Sequence, residues 1–117
     1  MMPFRTDIGR LAADGSAPLA RTDADGRVIW RNRVFRDLME GDGPSRLGRP
    51  LREMVEPADR GIVEAAVTGL SGGAIHADAH VRVRRADGTW SDGVLRFRRT
   101  PRFEDRPEFL TVLLRLA

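Results

Sequence analysis

Pro18-Leu-Ala-Arg-Thr-Asp-Ala-Asp-Gly-Arg-Val-Ile-Trp-Arg-Asn-Arg-Val-Phe35 decides the architecture of this chain. It reads as a short strand, a tight turn, a second strand and a helix that starts at once. Asp25-Gly26 marks the turn, because Gly accepts the positive φ such turns need and Asp can bond its own downstream backbone. Leu19-Ala20 and Val28-Ile29-Trp30 flank it as strand partners. Asn32 stands where the second strand stops and an amphipathic run begins, a place from which its side-chain amide can cap the helix. The chain changes direction twice here, and the rest must build on that corner.

Downstream, Val34, Phe35, Leu38 and Met39 form an apolar helical stripe that stops at Gly41, and the segment 41–48 is a loop by composition. Pro50 suits the first turn of a short helix that turns Leu51, Met54 and Val55 inward. Pro57 opens a further helical segment, whose stripe Ile62, Val63, Ala66, Val67 and Leu70 ends at Gly72-Gly73. The period then changes to two. From Ile75 to Val83 the odd positions are apolar and the even ones polar, a half-buried strand. Asp87-Gly88 turns it into a second long strand around Trp90 to Arg99. After a charged, proline-rich loop, Phe109 to Leu116 is apolar on both faces except for Thr111 and Arg115, as a strand covered on both sides should be. Two strands, several short helices and three strands predict an α+β fold: a five-stranded antiparallel sheet with short helices packed on one face.

Three stretches in order carry a family resemblance. Thr22-Asp23-x-x-Gly26-x-Val28-x-x-x-Asn32-x-x-Phe35 is the first. Leu47-Gly48-Arg49-Pro50-Leu51 leading to Pro57-Ala58-Asp59-Arg60 is the second, and Arg84-Arg85-Ala86-Asp87-Gly88-Thr89-Trp90 the third. Together they resemble a PAS domain, the sensory module of many bacterial signalling proteins, over residues 17–117. The resemblance implies the same α+β fold and a role in signal transduction, for example in a two-component system; a charged start without an apolar central segment makes a cytoplasmic domain the simplest reading. It also implies a relay from a ligand cavity or a dimer contact to an output domain such as a histidine kinase or nucleotide cyclase.

At 117 residues the chain is long enough for one domain with a core and too short for two. No apolar run approaches the roughly 18 residues of a membrane span. The chain has no cysteine, which excludes disulfides, thiolate catalysis and zinc–thiolate sites. It also excludes the covalent-flavin and thiol-linked chromophore branches of the family, while leaving non-covalent flavin open, with Trp30 and Trp90 as stacking candidates. Every basic residue other than histidine is arginine, and net charge is only +3, modest for a nucleic-acid binder. With neither aromatic interleaving nor a recognition helix, no nucleic-acid partner is expected.

Residues 1–16 read as a leader whose Phe4, Ile8, Leu11 and Ala12 share one helical face. It is either a homodimerising helix, acting with the outer sheet face, or a loosely packed extension. His76 and His80, the only histidines, fall on the polar side of their strand about 13 Å apart, too far to share a metal. Haem-binding relatives take an axial histidine from the long helix, and residues 58–71 contain none, which disfavours haem. Seven arginines between Arg82 and Arg102 face only Asp87 and Asp92. They make either a docking surface for an anionic partner or the solvated face of a hairpin.

The remaining candidate is a cavity between sheet and helices, walled by Phe35, Leu38, Met39, Met54, Ile62, Ala66 and Leu70 with Ala77, Ala79, Leu95 and Phe97 from the strands. Two inward alanines would either leave room for a small apolar ligand or let a helix pack closer. No carboxylate pair, Ser/His/Asp set or phosphate loop is visible, so the domain is not expected to be an enzyme. The alternatives are a ligand-free constitutive dimerisation module and a small enzyme with an open pocket. The latter would need an ionisable residue that the strand alternation does not turn inward.

Overall fold

The structure, a computed structural model, describes residues 17–100 and 109–116. Strands β1 (Leu19–Thr22) and β2 (Val28–Arg31) are followed by helix α1 (Arg33–Met39) and two single 3₁₀ turns (Leu51–Met54 and Pro57–Asp59). Helix α2 (Arg60–Ser71) and strands β3 (His76–Arg84), β4 (Trp90–Thr100) and β5 (Phe109–Leu116) complete the described chain. The five strands form one antiparallel sheet in the order β2-β1-β5-β4-β3. The last strand therefore lies in the middle, as its two-sided apolarity predicts. Leu110, Val112 and Leu114 face the main core, while Leu113 meets Leu19 and Ala17 on the opposite side. The amphipathic face of 1–16 and the loop 101–108 lie outside the described residues.

The opening corner is built from side chains. Asp23 Oδ1 accepts the N–H groups of Asp25 and Arg27 at 3.0 and 2.9 Å, and Gly26 takes φ +86°, so the connection is a five-residue turn. At the other end a single residue, Asn32, separates β2 from α1. Its Oδ1 accepts from Phe35 N at 2.9 Å and from Leu19 N at 3.1 Å, and its Nδ2 donates to Ala17 O at 2.8 Å. The helix cap is thus also a clamp on the start of β1.

Between sheet and helices lies one core containing Phe35, Met39, Leu51, Met54, Val63, Leu70, Leu95 and Phe97. Ile62 departs from its expected inward position and is 43% exposed. At 100° per residue, Val63, Ala66, Val67 and Leu70 centre the buried stripe of α2 roughly 90° away from Ile62. The expected alternating strand also starts one residue later, leaving Ile75 exposed.

Asn32→Ala removes a cap and two strand-anchoring bonds and is expected to destabilise by about 2–3 kcal/mol, against about 1 for an ordinary cap. Asn32→Asp keeps the acceptor and should lose less. Chemical denaturation of the three proteins checks the order, and an alanine variant as stable as the parent removes the clamp from the account.

Candidate functional site

The structure brings ten of the eleven expected cavity residues together. Phe35, Met39, Met54, Leu70, Ala79, Leu95 and Phe97 are buried in one cluster, and Leu38, Ala66 and Ala77 pack against it. Ile62 alone stands apart. Phe35, Met54, Ala79, Leu95 and Phe97 have no exposed surface at all, so no water-sized gap is left against them. A ligand there would have to part the helices from the sheet. The closed centre follows native packing density, in which few voids exceed a water molecule.

An open cleft of about 380 Å³ lies at the edge of this core. One wall is the Asp25-Gly26 turn with Pro50, Leu51 and Arg52, and the other is the Val63, Glu64, Val67 and Thr68 face of α2. Its floor is Leu51 and Val63, both members of the core cluster. The turn-side wall is tied by backbone bonds Leu51 N–H to Gly26 O (2.9 Å) and Val28 N–H to Arg49 O (3.0 Å). Gly26 also sits close to α2, since a Cβ on it would lie 3.6 Å from Val67 Cγ2. At the rim Arg52 and Glu64 form a solvent-exposed ion pair at 3.6 Å. An apolar floor under a charged rim suits a small amphipathic molecule. Nothing in the residue pattern pointed to this cleft, because its walls come from three separated segments.

The arginines are rearranged relative to their sequence order. Arg82 pairs with Glu56 and Asp92, Arg96 with Asp78, and Arg99 donates to the carbonyls of Ala74 and Gly73. Arg84 and Arg85 leave this group and join Arg46 and Arg49 at a second cleft. Arg102 lies outside the described residues. The histidines stand exposed on the outer sheet face. Trp30, also on that face, lies under the Arg21 guanidinium at 5.3 Å from the ring centroid, and Trp90 is exposed, so neither reaches the interior.

Two bidentate ion pairs brace the loops. Arg31 grips the buried Glu40 carboxylate at 2.8 and 3.1 Å, and these hydrogen bonds hold the Arg31 pKa above its usual value. Arg49 grips Glu53 with a closest approach of 2.8 Å, and its hydrogen bonds hold Glu53 below the usual carboxylate range. A depressed carboxylate pKa means the contribution is complete above about pH 5 and is lost as pH falls through the lowered value.

Among the described residues, the last strand at the centre of the sheet, helices between the second and third strands, and a cleft under the long helix define a small α+β module. Residues 14–116 match the family described as PAS fold, and the chain belongs to that family. No curated protein matches it. Among solved structures, the PAS-B domain of Drosophila melanogaster Cycle with bound ethylene glycol is similar at TM-score 0.73 and 12% identity, covering 86% of this chain and 99% of that one. A PAS domain from a two-component sensor histidine kinase is similar at TM-score 0.71 and 11% identity, with 97% and 96% covered. The PAS domain of the Cronobacter turicensis RpfR quorum-sensing receptor, in complex with C12:0, gives 0.65 and 16%, with 86% and 93% covered. Among the described residues no helix is long and apolar enough to cross a membrane, and no group of His, Asp and Glu is placed to hold a metal ion.

The two ion pairs have similar geometry and different burial, with Glu40 side-chain exposure at 4% and Glu53 at 28%. Removing the guanidinium from the buried carboxylate leaves an uncompensated charge, whereas solvent screens the other pair. Arg31→Ala should therefore lower the melting temperature clearly more than Arg49→Ala. Equal shifts in thermal unfolding would show that Glu40 is solvated after all.

Proposed function

We propose that this chain is a cytoplasmic sensory and interaction domain of a signalling protein, such as a histidine kinase or nucleotide cyclase, that relays small-molecule occupancy to an output domain. The observation that carries the proposal is the cleft whose floor, Leu51 and Val63, belongs to the same cluster that seats α2 on the sheet. An occupant touching these residues biases the position of α2, which packs on β3, and the antiparallel ladder continues from β3 through β4 to β5. The energy available for the relay is the ligand's differential affinity for the two positions of α2 and no more. The RpfR domain in complex with C12:0 supports an amphipathic ligand, and the sensor-kinase domain supports the signalling context. In this reading a homodimer forms through residues 1–16 and the outer sheet face.

The closed core favours a second reading, a ligand-free constitutive dimerisation module. Ile29 and Trp30 of the edge strand stand exposed and give such a module an apolar contact surface.

Native mass spectrometry of the purified protein with added dodecanoate separates the two. The sensory reading expects a saturable adduct lost on denaturation, and Thr68→Trp, which fills the cleft from its exposed rim, should abolish it while leaving the fold intact by circular dichroism. An adduct that survives Thr68→Trp places the ligand in the interior instead. A dimer without adduct at any dodecanoate concentration supports the dimerisation module.

A further inference from the structure

The second cleft, about 330 Å³, lies away from the apolar one, where the loop after α1 meets the β3–β4 turn. Its two sides are held together by the fold. Ala86 N–H donates to Leu38 O at 2.8 Å, and a Cβ on Gly41, which takes φ +56°, would come within 3.0 Å of Ala86 Cβ. Arg46 and Arg49 come from one side, and Arg84 and Arg85 from the other. Residues nearly forty positions apart thus bring four arginines to the lining of one hollow.

The counter-charges present do not neutralise it. Glu40 lines the cleft, but both its oxygens are engaged by Arg31, so that charge is already matched. Glu53 matches Arg49. Asp87, beside Arg85 in the turn, directs Oδ1 to the N–H and hydroxyl of Thr89 at 2.9 and 2.6 Å, which fixes the turn and leaves no ion pair to an arginine. Asp42, on the facing loop, does not line the cleft. Among the described residues Arg46, Arg84 and Arg85 form no close ion pair; Glu53 acts on Arg46 and Asp87 on Arg85 only through longer-range attraction, so four arginines face two carboxylates not already matched elsewhere.

We propose that this cleft is an anion site for a small molecule bearing a phosphate or diphosphate group. Guanidinium forks match phosphate oxygens in bidentate geometry and stay charged at all physiological pH values. Arginines on opposite walls allow more than one fork to reach a tetrahedral group whose oxygens fan out in three dimensions, whereas a planar carboxylate fills one fork. The half-buried positions of Arg46 and Arg85 reduce solvent screening of the attraction. This site is separate from the apolar cleft and stands whether or not that cleft takes a ligand.

Isothermal titration of the whole chain with inorganic pyrophosphate at low ionic strength tests the proposal. One-to-one saturable binding is expected, weakening as salt is added. Arg84→Gln and Arg85→Gln should each weaken it by about tenfold, the worth of one charge-assisted hydrogen bond. Arg98→Gln, which removes the same charge from the outer sheet face, should leave it within about twofold. Citrate, titrated in parallel, should bind clearly more weakly. Absence of saturable binding, or an equal loss in Arg98→Gln, overturns the site, and citrate binding as tightly as pyrophosphate overturns the phosphate assignment.

Discussion

Asn32 occupies the position from which two directions of chain are set at once. β2 ends at Arg31 and α1 begins at Arg33, so one residue has to end a ladder and open a helix. Its Oδ1 serves Phe35 N–H and Leu19 N–H together, while its Nδ2 serves Ala17 O. A carboxylate in its place would accept both bonds and repel the Ala17 carbonyl, and a serine hydroxyl is too short to span all three. Only an amide side chain of this length carries both a double acceptor and a donor, and this is the chain's only asparagine. With the corner held, Phe35 and Met39 point under the sheet, and the core assembles on them.

The second constraint is the central place of β5. β5 pairs with β1 on one side and with β4 on the other, so the two ends of the described chain meet at the middle of the sheet. The central place of β5 was legible, because a strand apolar on both faces is covered on both sides; the order of the other strands was not. The period-two run before it was equally plain, and so were the corner and its cap. The phase of α2 was less so, since five apolar residues in a helix define a stripe broader than the surface they cover, and Ile62 fell off its edge. Neither cleft was legible. The apolar one is assembled from three segments with no shared pattern, and the basic one joins Arg46 and Arg49 to Arg84 and Arg85, two groups distant in sequence.

The two walls of the apolar cleft differ in what fixes them. Helix α2 has no side-chain N-cap from Asp59, whose Oδ2 accepts from Arg82 N–H instead, and Arg60 Nε next to it is buried without a hydrogen-bond partner among the described residues. Two glycines, Gly61 and Gly69, lie within the helix, each costing about 1 kcal/mol relative to alanine. Such a helix depends on its packed face more than on its own propensity. It is the wall that a ligand can move most cheaply, and the one whose displacement the sheet would register.

The facing wall behaves oppositely. The segment 46–52 contributes Pro50, Leu51 and Arg52 to the apolar cleft and Arg46 and Arg49 to the basic one, so it partitions the two. It is pinned to the opening hairpin by Val28 N–H to Arg49 O, Gly48 N–H to Val28 O and Leu51 N–H to Gly26 O, and by Arg27 Nη1 to Gly48 O. The Arg49–Glu53 fork stiffens it further. Coupling between two sites requires an element with two arrangements that both ligands bias. A partition held by this many bonds is a poor candidate for such an element, which sets the two clefts apart. What they share is the corner at Asn32, which must be intact before either cleft exists.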